Sequence, residues 1–496
     1  MNPIFPSLSQ ELEATLRRLN PYWRGEPQIQ LPPVKRWAYS VALKRLKSGL
    51  AKATVLTGPR QVGKSTLVRQ IIQTLLDEGV EPRRIFYVQF DELRELLRLT
   101  EPILTLADWF EQYILKESFN RATESGQPAY LFFDEVQNLP EWAPQIKSLV
   151  DSSDVRVMVT GSSALRIEQG RDSLAGRIST LELGTLFLRE IMEIRREETL
   201  QPFLEFNGIT PLRTLDFWQD LRAYGEQHRD VRLRAFSYFS ERGAYPIAHN
   251  RPDVEWSELA DQLNETVIRR AITHDLRTGP RGAKRDQHLL EEIFRLVCRY
   301  AGQSPTTSSM VEEIRQTRDA NIGTQRVLQY LRFLDGTLLM RLIEPLELRL
   351  KRKKGTSKIC ICDHALRASW LQEVVPLSSE QLETHSHLKD LAGHIAESAA
   401  GYFLRSIVGL DVAHFPVRAS EPEIDYVITV GEQRIPIEIK YRSRINWATD
   451  TFGLRSFIEK TAYNAPFGIM VTLNEERPMI GSNIITVPLS TLLMMR

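Results

Sequence analysis

Residues 54–72, TVLTGPRQVGKSTLVRQII, constrain the fold of this chain more than any other stretch. Gly58, Gly63, Lys64 and Ser65 fit the pattern G-x-x-x-x-G-K-S/T without a mismatch. Ahead of them, Ala53 to Leu56 is a short apolar run that reads as a buried parallel strand. Behind them, Leu67, Val68, Ile71, Ile72 and Leu75 recur at helical spacing. A glycine-bounded loop between strand and helix turns several N–H groups inward, and the helix N-terminus adds its dipole and unpaired N–H groups. The result is a phosphate cradle. The pattern predicts that Gly58, Pro59, Arg60, Gln61, Val62, Gly63, Lys64, Ser65 and Thr66 wrap a nucleotide. Lys64 would reach its terminal phosphates and the Ser65 hydroxyl its Mg²⁺. ATP and Mg²⁺ are the expected cofactors.

The residues that follow suit that cradle. Ile85 to Phe90, Tyr130 to Phe133 and Val155 to Thr160 are apolar strand patterns separated by helical ones. Such alternation predicts a doubly wound parallel α/β sheet with ligands at the carboxyl ends of its strands. Asp134 and Glu135 close one strand in the Walker B arrangement. Asp134 would hold Mg²⁺ and Glu135 would polarise the attacking water. Ser162 or Ser163, at the tip of the next strand, would sense the γ-phosphate. Arg177 and Arg189 further on are both candidates to stabilise phosphate charge as an arginine finger.

GPRQVGKSTL, FFDEVQNLPEWAPQIKSLVD, VTGSSALRI and SLAGRISTLELGTLFLREI occur in this order, and YFSERGAYP follows. Together they resemble the AAA-type ATPase family with a C-terminal domain of unknown function, DUF4143. The resemblance implies architecture and nucleotide chemistry, and no biological role. It implies a helical lid after the nucleotide domain. It also implies an arginine finger, with Arg177 the expected one, that acts on a neighbouring subunit's nucleotide, hence a homo-oligomer.

At 496 residues the chain is too long for one core, and roughly three domains are expected. The expected organisation is an N-terminal arm over 1–35, the nucleotide domain over 36–200 and a lid over 201–280. Two further units follow, over 281–375 and 388–496. Hydrophobic content of 42% and charged content of 26% exclude a disordered chain. A net charge of +1 conceals basic clusters and so leaves nucleic acid open as a partner. The 3 cysteines point to a reducing compartment, and Cys360 and Cys362 have no second pair nearby to make a metal site. No run approaches membrane-span length and the first residues lack a signal-peptide core, so a cytoplasmic protein with no membrane partner is expected.

Residues 281–375 read as helices over His288 to Ala301, Ser308 to Arg315 and Gly323 to Leu334, then two strands around a turn near Gly355. That is the order of a winged helix, whose third helix reads DNA. It offers Arg326 and Arg332, beside Thr324 and Gln325. The wing offers Lys351, Arg352, Lys353 and Lys354, which with Arg341, Arg349 and Lys358 form a basic cluster suited to phosphates. A solvated wing used for protein contacts is the rival reading.

Residues 388–496 hold the second chemical constellation. Tyr426 to Val430 and Ile435 to Ile439 alternate as a hairpin through Gly431, and Glu438 and Lys440 share one face. Asp425 stands ahead of this E-x-K, and Glu397 lies on the preceding helix. The set resembles the PD-(D/E)XK nuclease fold. That resemblance implies that Asp425, Glu438 and Glu397 hold a second Mg²⁺ or Mn²⁺ and that Lys440 orients water or neutralises developing charge. Glu423 is either a further ligand or a loop residue. Cleavage and binding alone both remain open.

The whole therefore reads as an ATP-hydrolysing, DNA-engaging protein of DNA processing, repair or recombination. Two other classes stand beside it. One is an ATP-gated signalling or defence switch with slow turnover, whose nuclease-like domain only binds. The other is a scaffold- or chaperone-like ATPase whose end domain recruits a protein.

Overall fold

The computed structural model describes residues 8–90, 95–96, 99–162, 176–205, 208–277, 286–317, 322–347, 355–417 and 421–496. The chain forms two compact units, Met1–Leu183 and Gly184–Arg496.

In the first unit, strands β1 (Ala53–Thr57), β2 (Ile85–Gln89), β3 (Tyr130–Asp134), β4 (Arg156–Gly161) and β5 (Ile178–Glu182) make one sheet in the order β2-β3-β4-β1-β5. Every pairing is parallel. Strands β1 and β3 are buried along their whole length, which is why they read as continuous apolar runs rather than alternating ones. The expected parallel α/β sheet is present, with β4 between the two Walker strands. The arm lies along the free edge of β2. The Asn20 side chain accepts from Tyr87 N (2.8 Å) and donates to Tyr87 O (2.9 Å), and Trp23 Nε1 donates to Ile85 O (2.9 Å). Two side chains thus satisfy edge groups that another strand would otherwise seek.

The second unit begins earlier than the sequence suggests. The first unit closes at Leu183 rather than near residue 200, and the second unit takes in residues 184–200, expected in the nucleotide domain, together with the stretch 201–280 expected as its lid. Helices Leu215–Gln227 and Arg229–Arg242 carry the reason. Arg222 Nη1 donates to Thr486 O (2.8 Å), and Arg232, 2% exposed, pairs with Glu475 (2.6 Å) and donates to the Thr491 hydroxyl. Their inward faces are therefore committed to the C-terminal strands. Of the lid arginines, Arg269 pairs with Glu265 (3.2 Å) on the surface of this unit, and Arg270 is exposed beside it.

Helices Gln287–Arg299, Thr307–Thr317 and Thr324–Gly336 come next, followed by an antiparallel ribbon of β6 (Met340–Ile343) and β7 (Lys358–Ile361). The last sheet contains β8 (Asp411–Phe415), β9 (Ile424–Val430), β10 (Gln433–Lys440), β11 (Gly468–Thr472), β12 (Met479–Ile480) and β13 (Ile484–Pro488). Its order is β12-β13-β11-β10-β9-β8. β8, β9 and β10 are antiparallel neighbours, while β10, β11 and β13 run parallel. Helix Lys389–Ser406 precedes this sheet. The ribbon is stitched to both elements. Leu346 N donates to His414 O (2.8 Å) on β8, and Ile361 N donates to Ser398 Oγ (2.9 Å) on the helix.

Candidate functional site

The phosphate loop follows β1 and opens the helix Lys64–Asp77. Gly63 adopts φ 96°, a conformation that glycine reaches without strain. At Gly58 a Cβ would stand 2.2 Å from Leu183 O, so only glycine fits there. Lys64 is buried, and its Nζ donates to Gly58 O (3.1 Å) and Pro59 O (2.9 Å). Among the loop residues Val62 is buried, Arg60, Ser65 and Thr66 are half-buried and Gln61 is exposed. Arg36 donates from Nη1 to Val62 O and so braces the loop from the arm side, a role no motif advertises.

Asp134 ends β3 and is fully buried. Burial and neighbouring Glu135 push its carboxyl up, while hydrogen bonds from Thr160, Ser65 and Tyr87 oppose the shift. The Tyr87 hydroxyl donates to Oδ2 at 2.9 Å and the Thr160 hydroxyl donates to Oδ1. Glu135 has φ 58°, a left-handed backbone that swings it out of the strand line. Its N–H donates to Thr160 Oγ1 (3.2 Å). Gln137 Nε2 donates both to the Glu135 carboxylate and to Ser162 Oγ (3.0 Å). Ser162 is thereby joined through Gln137 to the second Walker carboxylate, while Ser163 lies outside the described residues. Sequence reasoning does not single out Thr160 or Tyr87. Thr160 is legible as the polar tip of a strand, whereas Tyr87 lies inside an apolar one.

This donor set fits a Mg²⁺-bound nucleoside triphosphate. A glycine-only cradle, one buried lysine, a hydroxyl and a buried carboxylate converge at the carboxyl ends of β1 and β3. Arg177 lies at the other end of the sheet. Its carbonyl accepts from Ala53 N at the start of β1, and its guanidinium pairs with Asp151 on the surface. Roughly 15 Å of strand separates it from the phosphate loop of its own chain. Arg189 pairs with Glu193 (3.1 Å) in the second unit.

In the helix–ribbon region, Thr324, Gln325, Arg326 and Arg332 are all exposed on helix Thr324–Gly336. Arg349, Lys351, Arg352, Lys353 and Lys354 lie outside the described residues. Lys358 does not belong to a phosphate-binding cluster. It is 2% exposed and points into the last domain. Arg341 is half-buried, 3.9 Å from Asp335.

The acidic constellation does assemble. The β9–β10 register pairs Tyr426 with Ile437, which sets Asp425 opposite Glu438 on one face, and Asp425 Oδ2 accepts from Ile439 N (2.8 Å). Burial, then the Asp425 charge, push both Glu397 and Glu438 up to about 8. Burial pushes Glu423 up as well. For Asp425 burial acts upward, but the Lys358 ammonium and the Ile439 N–H outweigh it and leave the group lowered. Lys358 Nζ lies 2.7 Å from Asp425 Oδ1 and 3.1 Å from Glu397 Oε2, and Lys440 Nζ lies 2.5 Å from Glu438 Oε1. The expected second Mg²⁺ or Mn²⁺ does not fit this arrangement, because an ammonium already stands between Asp425 and Glu397. Among the described residues no His, Cys, Asp and Glu group is arranged to hold a metal ion. Nor, among those residues, is any helix long and apolar enough to cross a membrane.

Residues 50–192 match the model of an AAA domain, and residues 392–492 match that of DUF4143, a domain of unknown function. An uncharacterized protein of Methanocaldococcus jannaschii is 22% identical over 268 residues, 53% of this chain and 52% of its own length. Another, from Haemophilus influenzae, is 22% identical over 314 residues, 63% of this chain and 68% of its own. The chain thus spans about half of the first relative. Among solved structures, the Walker-type ATPase paby2304 of Pyrococcus abyssi is 14% identical with a TM-score of 0.40, over 69% of this chain and 99% of that one, a likeness too slight to carry an argument. The two domain matches fall on the stretches whose motifs resemble the AAA-type ATPase family with a C-terminal DUF4143 region.

Proposed function

We propose that the protein hydrolyses ATP with Mg²⁺ and couples turnover to DNA held by its helix–ribbon and C-terminal regions. The observation that carries the ATPase part is a hydrogen-bond chain that runs from Asp134, bonded to Ser65 of the phosphate loop, through Thr160 to Glu135 and on through Gln137 to Ser162. On nucleotide binding Lys64 would leave the Gly58 and Pro59 carbonyls to neutralise the terminal phosphates, and Ser65 and Asp134 would hold the metal. Mg²⁺ would supply charge neutralisation between the phosphates. Glu135 orients the attacking water and accepts its proton at the carboxylate, while Gln137 and Ser162 fix that carboxylate's direction.

Exposed Arg326 and Arg332 on the third helix support DNA contact. The helix before an antiparallel β8–β9–β10 meander that continues into parallel β11 supports a nuclease-like domain. Lys358 among its carboxylates favours binding over cutting. That same lysine favours a second reading, an ATP-gated switch with slow turnover. ATPase rates with and without single-stranded, duplex and branched DNA separate the two. Stimulation supports DNA coupling, and slow turnover indifferent to DNA supports the switch. Lys64→Ala is expected to abolish nucleotide binding. Glu135→Gln is expected to keep binding and lose at least ~100-fold in turnover. Parental turnover in Glu135→Gln removes the assignment.

A further inference from the structure

A carboxylate buried this deeply keeps its charge only beside a cation and otherwise takes up a proton. Here the chain provides that cation from its own ribbon. Lys358 departs from β7, and its Nζ bonds both Asp425 and Glu397, with the Tyr426 ring 5.1 Å away. Cys360, next on the same face of β7, meets the Tyr426 hydroxyl at 3.3 Å, and that hydroxyl donates to Glu397 O (2.7 Å). The lysine is therefore held by its strand neighbours as well as by charge. One demand of the cluster stays unmet. Glu438, only 9% exposed, pairs through Oε1 with Lys440, while its Oε2 finds no hydrogen-bond partner among the described residues.

We infer that Lys358 is the resident cation of this pocket, a tethered replacement for a divalent metal that fastens the ribbon to the sheet and keeps Mg²⁺ and Mn²⁺ out. An ammonium brings one charge and three N–H donors. It offers no open coordination position, so it neither generates hydroxide from bound water nor bridges a phosphodiester as a divalent ion does. The wild-type pocket is accordingly a structural joint. The inference rests on the nuclease-like reading only for the kind of ion displaced, and is independent of ATP hydrolysis.

Manganese EPR on nucleotide-free full-length protein tests it. Wild type is expected to bind no Mn²⁺ that Asp425→Asn removes. Lys358→Met is expected to gain one bound Mn²⁺, lost again in Lys358→Met combined with Asp425→Asn. In EDTA the Lys358→Met melting temperature should fall by about 5–10 °C, as for breaking a buried ion pair, and Mn²⁺ should restore most of it. Asp425-dependent Mn²⁺ binding by wild type overturns the inference, and that measurement decides even if Lys358→Met does not fold. A folded Lys358→Met that ignores Mn²⁺ overturns it equally. With no ATP in the assay, a failed ATPase reading leaves the result intact.

Discussion

Glu135 shows how much a single backbone angle contributes. Its left-handed turn is unusual for a side chain of this type, and the strain is retained where a carboxylate must leave the strand and meet Gln137 and Ser162. Thr160 touches both Walker residues, donating to Asp134 Oδ1 and accepting from the Glu135 backbone N–H. Thr160→Val should therefore cut ATP turnover by ~10-fold or more while leaving a folded protein, checked by steady-state rate against circular dichroism. His249 makes a separate prediction. It is buried, accepts from Arg195 Nε (3.2 Å) and contacts Gly243 O (2.8 Å), and burial pushes its imidazole down to about 3. The folded form stays neutral, while the unfolded form takes a proton below about 6.5. Its contribution is thus fully present above pH 6.5 and is lost as pH falls toward 3, by up to about 1.4 kcal/mol per pH unit. Urea midpoints across that window should slope less in His249→Gln than in wild type. Residues with a motif around them were legible in the sequence. Arg36 and Lys358 were not, because their roles depend on partners 26 and 67 positions away.

At the scale of elements, apolar runs located the parallel strands, and the E-x-K spacing located one face of β10. The lid was placed differently because amphipathic helices declare an apolar face without declaring which core receives it. Arg222 and Arg232 settle that by engaging Glu475, Thr486 and Thr491. Arg232→Ala should destabilise the second unit by about 1–3 kcal/mol, since the buried Thr491 hydroxyl loses its donor while Glu475 keeps Arg222. Differential scanning calorimetry would show the loss in one transition and leave the first unit's unchanged. Basic composition likewise suggested that Lys358 served phosphates, because a count of charges carries no direction. The third helix remains a DNA candidate. Replacing Arg326 and Arg332 by alanine should weaken duplex binding and lower the salt slope by about one for each phosphate the helix no longer neutralises. An unchanged titration across salt would remove the helix from the interface.

For the whole molecule, the expected trans geometry of catalysis hangs on Arg177. It lies at the amino ends of the strands, away from the phosphate loop of its own chain, so a contribution to hydrolysis would have to come from a second copy. Arg177→Ala should preserve nucleotide binding and lose ~10³-fold in turnover if it is the finger. Mixing inactive Lys64→Ala and Arg177→Ala subunits should then restore part of the rate. A monomer of full activity in sedimentation would exclude the arrangement. Function was legible in the sequence where chemistry demands fixed spacing, as in the phosphate loop. It was illegible where two distant segments jointly make a pocket, as at Lys358.

The strand order β2-β3-β4-β1-β5 also dictates a history for each molecule. β1 emerges first, yet its only sheet neighbours are β4 and β5, and Leu183 N donates to Thr57 O (2.8 Å) while Leu183 O abuts Gly58. A nascent chain that has not yet reached residue 183 carries every loop residue of the nucleotide motif but lacks the wall that shapes it. Such long-range pairing is slow and leaves apolar strands bare in the interim. Nucleotide affinity in stalled nascent chains should consequently appear in one step, only once that wall has been synthesised.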